Sequence, residues 1–137
     1  MANVLYDKGR ESFAGQNPPL DWDTDNIKVM LVKSTYTLSQ AHQYVSDLTP
    51  GTNDNGRSAN LGTKTVTAGV EDAADTSLVA TVAAPCNALV LFKDTAVDAT
   101  SPLIGYIDTA TGLPFTPAAG QTINIPWDNG ASRIFKL

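Results

Sequence analysis

Ionisable and metal-ligating residues are scarce in this chain of 137 residues, which contains one histidine, one cysteine and 17% charged residues. Soluble domains usually carry about 25% charged residues. One histidine and one cysteine cannot build a typical transition-metal site. His42 is a poor candidate for a catalytic base, because the sequence has no Gly-x-Ser-x-Gly motif and no second histidine. We therefore expect no enzymatic activity and no cofactor. The single Cys86 excludes an intrachain disulfide and is expected to be a small buried residue.

Clustered positive charge is also lacking. The nine lysine and arginine residues are scattered along the chain, and the net charge is −5. Binding to nucleic-acid phosphates or to an anionic membrane requires clustered lysine and arginine. The first residues lack a signal peptide, and no apolar run is long enough to span a membrane. We therefore expect neither a nucleic-acid nor a membrane partner, and we expect the protein to be made in the cytosol without export.

One acidic pattern superficially resembles a calcium loop. Asp21, Asp23 and Asp25 alternate with other residues, as the first ligands of such a loop do. An EF-hand loop that began at Asp21 would need glycine and glutamate where Asn26 and Val32 stand. The sequence therefore favours caps of a turn over a calcium site.

A second acidic pattern, Glu71 with Asp75, could supply the two carboxyl groups of a glycosidase. The intervening residues Asp72, Ala73 and Ala74 offer no apolar pocket that would raise the pKa of a carboxyl group. The sequence therefore favours a solvated acidic connection between strands.

Short apolar segments rich in β-branched and aromatic residues indicate a mainly β protein. The central pair, 88–92 and 103–107, begins with a run that is apolar at successive positions, so we expect a sheet covered on both faces. Asp128-Asn129-Gly130 predicts a tight hairpin between the last two strands. We predict a single domain, 1–137, with an antiparallel β-sandwich or barrel of about seven strands and one or two short helices. The other strands are expected at 27–32, 63–67, 77–82, 121–127 and 132–137.

Two segments have helical character. Apolar residues recur at spacings of three and four between residues 38 and 48, which predicts a helix with one apolar stripe. Residues 4–14 form either a second helix capped by Asn3 or part of an extended arm at 1–20. Residues 50–56 contain only turn-forming and polar residues, which predicts an exposed loop.

Four segments resemble a family of small virion structural proteins of tailed bacteriophages: MANVLYDKGRESF at 1–13, DNIKVMLV at 25–32, SPLIGYIDTATGLP at 101–114 and WDNGASRIFKL at 127–137. The likeness runs nearly end to end. It implies a capsid decoration, or cement, protein that binds the major capsid protein or other virion structural proteins as a homo-oligomer. A tail or collar component of the same virion is the nearest alternative. Either reading implies that the protein resides in the virion.

A decoration protein acts through contact surfaces. We expect these at the N-terminal segment 1–20 and at exposed loops, with interface residues Leu5, Tyr6, Phe13, Trp22, Asn53 and Asp98. A carbohydrate-binding module is the alternative from another class, because exposed aromatic side chains could form a sugar-binding face. The aromatic candidates for that face are Trp22, Tyr36 and Tyr44.

Overall fold

The computed structural model describes residues 3–16, 18–110, 112–131 and 133–137. These residues form antiparallel β-sheets with two short α-helices, which confirms the predicted mainly β class. The strands are β1 (Val4–Leu5), β2 (Ile27–Lys33), β3 (Asp54–Arg57), β4 (Thr65–Thr67), β5 (Val70–Asp72), β6 (Thr76–Val79), β7 (Cys86–Lys93), β8 (Leu103–Ile107), β9 (Thr122–Ile125) and β10 (Phe135–Lys136). The α-helices are α1 (Asp7–Phe13) and α2 (Pro50–Asn53), and 3₁₀ turns occur at Val45–Leu48 and Asp98–Thr100.

A five-stranded sheet with the order β1-β8-β7-β2-β3 forms the centre of the molecule. The other strands form a three-stranded sheet, β10-β5-β4, and a two-stranded sheet, β6-β9. The strand order of the large sheet ends at β1 and β3, so it does not close into a barrel. None of the described helices is both long and apolar enough to cross a membrane.

The central sheet is buried on both faces, as the apolar run in β7 predicts. Leu89 and Leu91 point to one face, and Val90 and Phe92 point to the other. The first face packs against Trp22, Leu61, Leu78, Ile125 and Trp127. The second face packs against Tyr6, Tyr36, Val45 and Leu48.

The predicted helix at 38–48 is wrong, because only Val45–Leu48 forms a 3₁₀ turn there. The side chain of Asp47 accepts hydrogen bonds from the backbone N–H groups of Gln43 at 2.8 Å and Tyr44 at 2.9 Å. A short acidic side chain that satisfies local N–H groups in this way competes with helix formation. Backbone hydrogen bonds to the chain just before β8 then hold the segment against the sheet.

The prediction that residues 50–56 form an exposed loop is also wrong. They form α2 and the start of β3, which pairs with β2 at the edge of the central sheet. Asn53 is buried and donates a hydrogen bond to the carbonyl of Leu48 at 2.7 Å. Gly56 has a φ of 118° and lies against the carbonyl of Val79, where a Cβ would clash. Asn53 and Gly56, which are typical of solvated turns, instead provide contacts that bury part of this segment.

The predicted hairpin at 128–130 does not form. Strand β9 pairs with β6, and β10 pairs with β5. The Trp127 backbone N–H bonds the side chain of Asp75 at 2.9 Å, and its indole N–H bonds the carbonyl of Ala74 at 3.1 Å. These contacts direct the chain away from a tight turn, and neither Asn129 nor Gly130 has a positive φ angle.

The N-terminal segment is part of the domain. Val4 and Leu5 pair with β8, and the helix begins later than predicted, at Asp7. Gly9 lies so close to the sheet that a Cβ would stand 2.8 Å from the carbonyl oxygen of Leu103. The glycine that weakens the helix therefore permits its close packing.

Candidate functional site

A groove of about 640 Å³ lies beside β9. Its walls are β9, the segment that follows β8 and the segment between β9 and β10. Leu31 and Leu89 of the central sheet reach its floor, and Phe115 and Ile123 add further apolar surface. Ligand pockets usually occupy about 300–1,000 Å³. The groove is therefore large enough for a small molecule or a short extended peptide.

The rim of the groove is polar but nearly neutral. Asp128 and Arg133 are the charged residues among the described residues that line it. Asn3 accepts hydrogen bonds from the Asp108 backbone N–H at 3.1 Å and from the Thr109 hydroxyl at 3.0 Å, which fixes one end of the groove. A ligand that fits this lining has amide or hydroxyl groups and little net charge.

One edge of β9 has no strand partner within the described part of the chain. In an antiparallel pair, alternate residues of a strand bond the partner strand through their backbone N–H and C=O groups. The remaining residues of β9 therefore direct these groups away from β6. The exposed residues Thr122 and Asn124 lie both on β9 and in the lining of the groove. An extended segment of another protein can add to such an edge.

Three of the six predicted interface residues lie inside the molecule. Tyr6 is 0% exposed, Trp22 2% and Asn53 9%. The Trp22 indole donates a hydrogen bond to the carbonyl of Asp72 at 2.9 Å, and its ring meets Phe135 edge-on with centroids 5.3 Å apart. The expectation that Trp22 is an exposed platform for a sugar is therefore wrong, and these three side chains pack within the chain.

Tyr6 begins a chain of hydrogen bonds that ends at His42. The Tyr6 and Tyr36 hydroxyls are 3.0 Å apart, and the Tyr36 hydroxyl is 2.8 Å from Nδ1 of His42. Burial raises the pKa of both Tyr6 and Tyr36, so both phenols stay protonated at neutral pH. His42 is not on a helix, contrary to the prediction, and its ring helps to fix the chain that follows β2.

Asp98 is half-buried and forms a bidentate ion pair with Arg57, with N···O distances of 2.7 and 2.9 Å. Arg57 also bonds Asp54 at 2.6 Å and lies over the ring of Phe92, 5.5 Å from its centroid. The hydrogen bond from Arg57 lowers the pKa of Asp98. The carboxylate of Asp98 therefore joins the 3₁₀ turn at Asp98–Thr100 to strand β3 of its own chain.

Leu5 and Phe13 are both half-buried. Leu5 lies on β1 opposite Gly105, and the Phe13 ring is 5.8 Å from Phe135. Both side chains pack against the first core face. The six predicted residues therefore do not form one surface, and none of them lines the groove.

The side chains of Asp21 and Asp25 cap a turn, as the sequence favours, and Asp23 contributes its backbone N–H to it. Asp21 accepts a hydrogen bond from the backbone N–H of Asp23 at 3.0 Å, and Asp25 accepts one from that of Asp21 at 2.8 Å. Asp25 also pairs with Lys93 at 3.1 Å. Within the described ranges, no group of three or more His, Cys, Asp or Glu side chains is placed to hold a metal ion.

Glu71 lies in an apolar environment, contrary to the expectation from its sequence neighbours. Its side chain is 1% exposed, and Oε2 has no hydrogen-bond partner. Burial raises the pKa of Glu71 to about 7, its own backbone N–H opposes this rise, and the charge of Asp23 adds to it. Asp75 is exposed and caps the Trp127 N–H instead of joining a carboxyl pair. The pocket around Glu71 comes from distant residues such as Phe135, directly opposite on β10.

Cys86 is buried, as predicted, and burial raises the pKa of its thiol. Its sulfur is 3.1 Å from the side-chain amide of Asn55. The Asn55 side chain also accepts hydrogen bonds from the backbone N–H groups of Thr81 and Val82 and donates to the Val82 carbonyl. Asn55 was expected in an exposed loop, and nothing in its neighbouring residues indicates this buried role.

No protein-family model, curated protein or solved structure matches this chain. The groove and the open edge of β9 are therefore the structural features from which a function can be inferred.

Proposed function

We propose that this chain is a structural protein of a tailed-bacteriophage virion, specifically a decoration protein that binds the lattice of the major capsid protein and stabilises the head. The resemblance of segments 1–13, 25–32, 101–114 and 127–137 to small virion proteins carries the proposal. These segments contribute strands β1, β2, β8 and β10. The likeness therefore includes much of the structural framework as well as the surface.

A rigid surface suits this function, because a protein that cements a lattice must hold its contacts in fixed positions. Ion pairs join strands to loops: Arg57 with Asp98, and Lys28 with Asp94 at 2.7 Å. In this proposal the two small sheets and the central sheet together act as the sandwich that the sequence predicts. Repeated over a lattice, modest contacts gain strength through effective concentration.

The groove is the surface that we assign to the capsid contact. Its partner in this proposal is an extended, mostly uncharged segment of the major capsid protein that pairs with the open edge of β9. The nearly neutral lining complements such a segment, and the apolar floor accepts its alternate side chains. The described residues that line the groove do not supply the clustered positive charge that a nucleic acid would require.

The test is to add the purified protein to particles that lack it and to locate it by cryo-electron microscopy. The proposal expects density at many symmetry-related positions over the head. A single ring at the neck or tail would instead support the alternative of a tail or collar component. Failure to join any part of the particle would overturn both structural functions.

A groove variant separates specific binding from adsorption. Thr122→Arg combined with Asn124→Arg places two charges at the exposed edge of β9 without replacing a buried side chain. Burying an unpaired charge costs several kcal/mol, so we expect occupancy to fall by at least about tenfold. Thr37→Arg, at an exposed position outside the groove lining, is the matched control and should bind like the wild type. Equal occupancy of all three proteins would exclude the groove as the contact.

A carbohydrate-binding module remains the alternative from another class, and the groove favours it in one respect. The side chains of Gln121 and Asn124 and the ring of Phe115 combine amide groups with an aromatic surface. A glycan array distinguishes the two functions. Reproducible binding that is lost in the Thr122→Arg, Asn124→Arg variant would favour a sugar ligand, whereas particle binding without any glycan signal would favour the virion protein.

A further inference from the structure

The carboxyl group of Glu71 is buried beside the strand that ends the chain. Strand β10 has only two residues, and its partner within the described residues is β5, where Phe135 lies directly opposite Glu71. The backbone N–H of Ile134 bonds the carbonyl of Glu71 at 3.2 Å, and that of Leu137 bonds the carbonyl of Gly69 at 2.8 Å. The pairing that retains the C-terminal strand therefore includes the residue with the buried carboxyl group.

We propose that Glu71 is a pH-dependent latch that keeps β10, and with it one wall of the groove, in place while its carboxyl group is neutral. Arg133 and Ile134, which precede β10, both line the groove. Ionisation would leave a charge at a buried oxygen that has no hydrogen-bond partner, and exposing that charge to water requires β10 to move. This inference does not depend on the virion function.

Two negative groups lie near Glu71, and neither favours ionisation of its carboxyl group. Asp23, in the turn before β2, raises the cost of ionising Glu71. Asp72 is the next residue on β5, but strand alternation directs its side chain to the opposite face, where Arg133 pairs with it at 3.9 Å. Helix α1 contacts this region through an uncharged residue, Phe13, whose ring packs against Phe135.

The nearby positive groups do not neutralise Glu71. Lys136 follows Phe135 on β10, pairs in register with Val70 and is exposed. Lys64, just before β4, donates to the carbonyl of Leu61 at 3.4 Å. Among the described residues, no ion pair to Glu71 forms within 4.0 Å, so its buried oxygen has no compensating positive charge.

The direction of the pH effect follows from burial. In the unfolded chain a glutamate has a pKa of about 4.3, and in the folded chain the pKa of Glu71 is raised to about 7. The stabilising effect of the neutral carboxyl group is therefore complete below about pH 4 and is lost as the pH rises through 7. Opening of β10 should become more frequent by about one to two orders of magnitude between pH 5 and pH 8.

The chain contains two glutamates, so labelling glutamate with ¹³C at the side-chain carboxyl gives two NMR signals. The other glutamate, Glu11, pairs with Lys8 at 2.8 Å on the surface of α1 and serves as the internal reference. We expect the Glu71 signal to titrate with a midpoint near 7, well above the ordinary glutamate pKa of about 4.3. A Glu71 midpoint near that of an exposed carboxyl group would overturn the proposal, and this measurement requires no variant.

Amide hydrogen exchange tests the movement itself. After correction for the intrinsic pH dependence of exchange, protection of residues 134–137 should fall between pH 6 and pH 8 in the wild type. Glu71→Gln should remove that fall, because a neutral amide cannot ionise, and Glu11→Gln should leave it intact. Protection that is independent of pH in the wild type, or the same fall in Glu71→Gln, would contradict the latch. If Glu71→Gln does not fold, the carboxyl titration and the wild-type exchange profile decide the question.

Discussion

At the scale of single residues, buried polar side chains hold this fold together. Asn55 is the clearest case, because its amide group bonds two backbone N–H groups, a backbone carbonyl and the thiol of Cys86. An unpaired buried polar group costs about 1–3 kcal/mol, so removing one side chain that satisfies several groups is expensive. The segment after β6 therefore depends on one residue of β3.

Replacing Asn55 with alanine should lower the free energy of unfolding by about 3 kcal/mol, because the N–H groups of Thr81 and Val82 lose their partner. Chemical denaturation monitored by circular dichroism measures the change. Asn60→Ala is the matched control, since Asn60 is exposed, and it should change stability by less than about 0.5 kcal/mol. Similar losses in the two variants would show that the Asn55 network contributes little.

Such residues mark the limit of what the sequence predicts. The burial of Cys86 follows from its small apolar character and its position beside the core strand. The apolar environment of Glu71 cannot be predicted from its neighbours Asp72 and Ala73. It is formed in part by Phe135, which is 64 residues further along the chain and pairs with Glu71. Local sequence indicates how a residue behaves alone, whereas these roles arise from contacts between distant segments.

At the scale of elements, the strands followed their sequence pattern and the connections did not. The apolar runs in β7 and β8 correctly predicted strands, and β9 lies within the strand predicted at 121–127. The predicted helix at 38–48 and hairpin at 128–130 failed because Asp47 and Asp75 use their side chains to bond backbone N–H groups. Side chains that cap backbone N–H groups in this way override a weak local propensity for a helix or a hairpin. The N–H groups that they bond cannot be identified from the sequence alone.

The N-terminal segment provides a direct test at this scale. We expect a contact surface at the N-terminal segment 1–20 from the resemblance to virion proteins, but β1 pairs with β8 and Tyr6 is fully buried. Loss of a large buried aromatic residue alone costs about 3–5 kcal/mol, a large part of the stability of a small domain. A variant without the first 14 residues should therefore lose its cooperative thermal transition.

The control for this truncation is Arg10→Ala. Arg10 forms an exposed ion pair with Asp7 at 3.0 Å, and such pairs contribute little to stability. The variant should keep the melting temperature of the wild type to within a few degrees. A truncated chain that melts cooperatively near the wild-type temperature would show that the rest of the chain folds without this segment.

At the scale of the whole molecule, ionisable groups limit stability from both sides of the pH range. The hydrogen bond from Arg57 lowers the pKa of Asp98, and that from Lys28 lowers the pKa of Asp94. Their contribution is present above the ordinary carboxyl pKa of about 3.9 and is lost as the pH falls through the lowered values. Glu71 acts in the opposite direction, because its raised pKa removes stability as the pH rises through about 7.

Stability should therefore be greatest in the mildly acidic range and fall towards both pH 3 and pH 8. Melting temperatures measured at intervals across this range test the prediction. Asp98→Asn should weaken the decline on the acidic side, and Glu71→Gln should weaken the decline on the alkaline side. A profile that is flat between pH 4 and pH 8 and unaffected by Glu71→Gln would contradict this assignment.

Function also belongs to the whole molecule, because a lattice protein acts through many copies. The sequence resemblance supplies the virion hypothesis, and the structure supplies a nearly neutral groove and an open strand edge through which such copies could be held. Homo-oligomeric association on the particle is part of the same proposal.

Cryo-electron microscopy of the intact virion tests the central claim most directly. The account predicts that this chain occupies repeated positions over the head lattice, with β9 and its groove against an extended segment of the major capsid protein. A particle whose head carries no copy of the chain would contradict it.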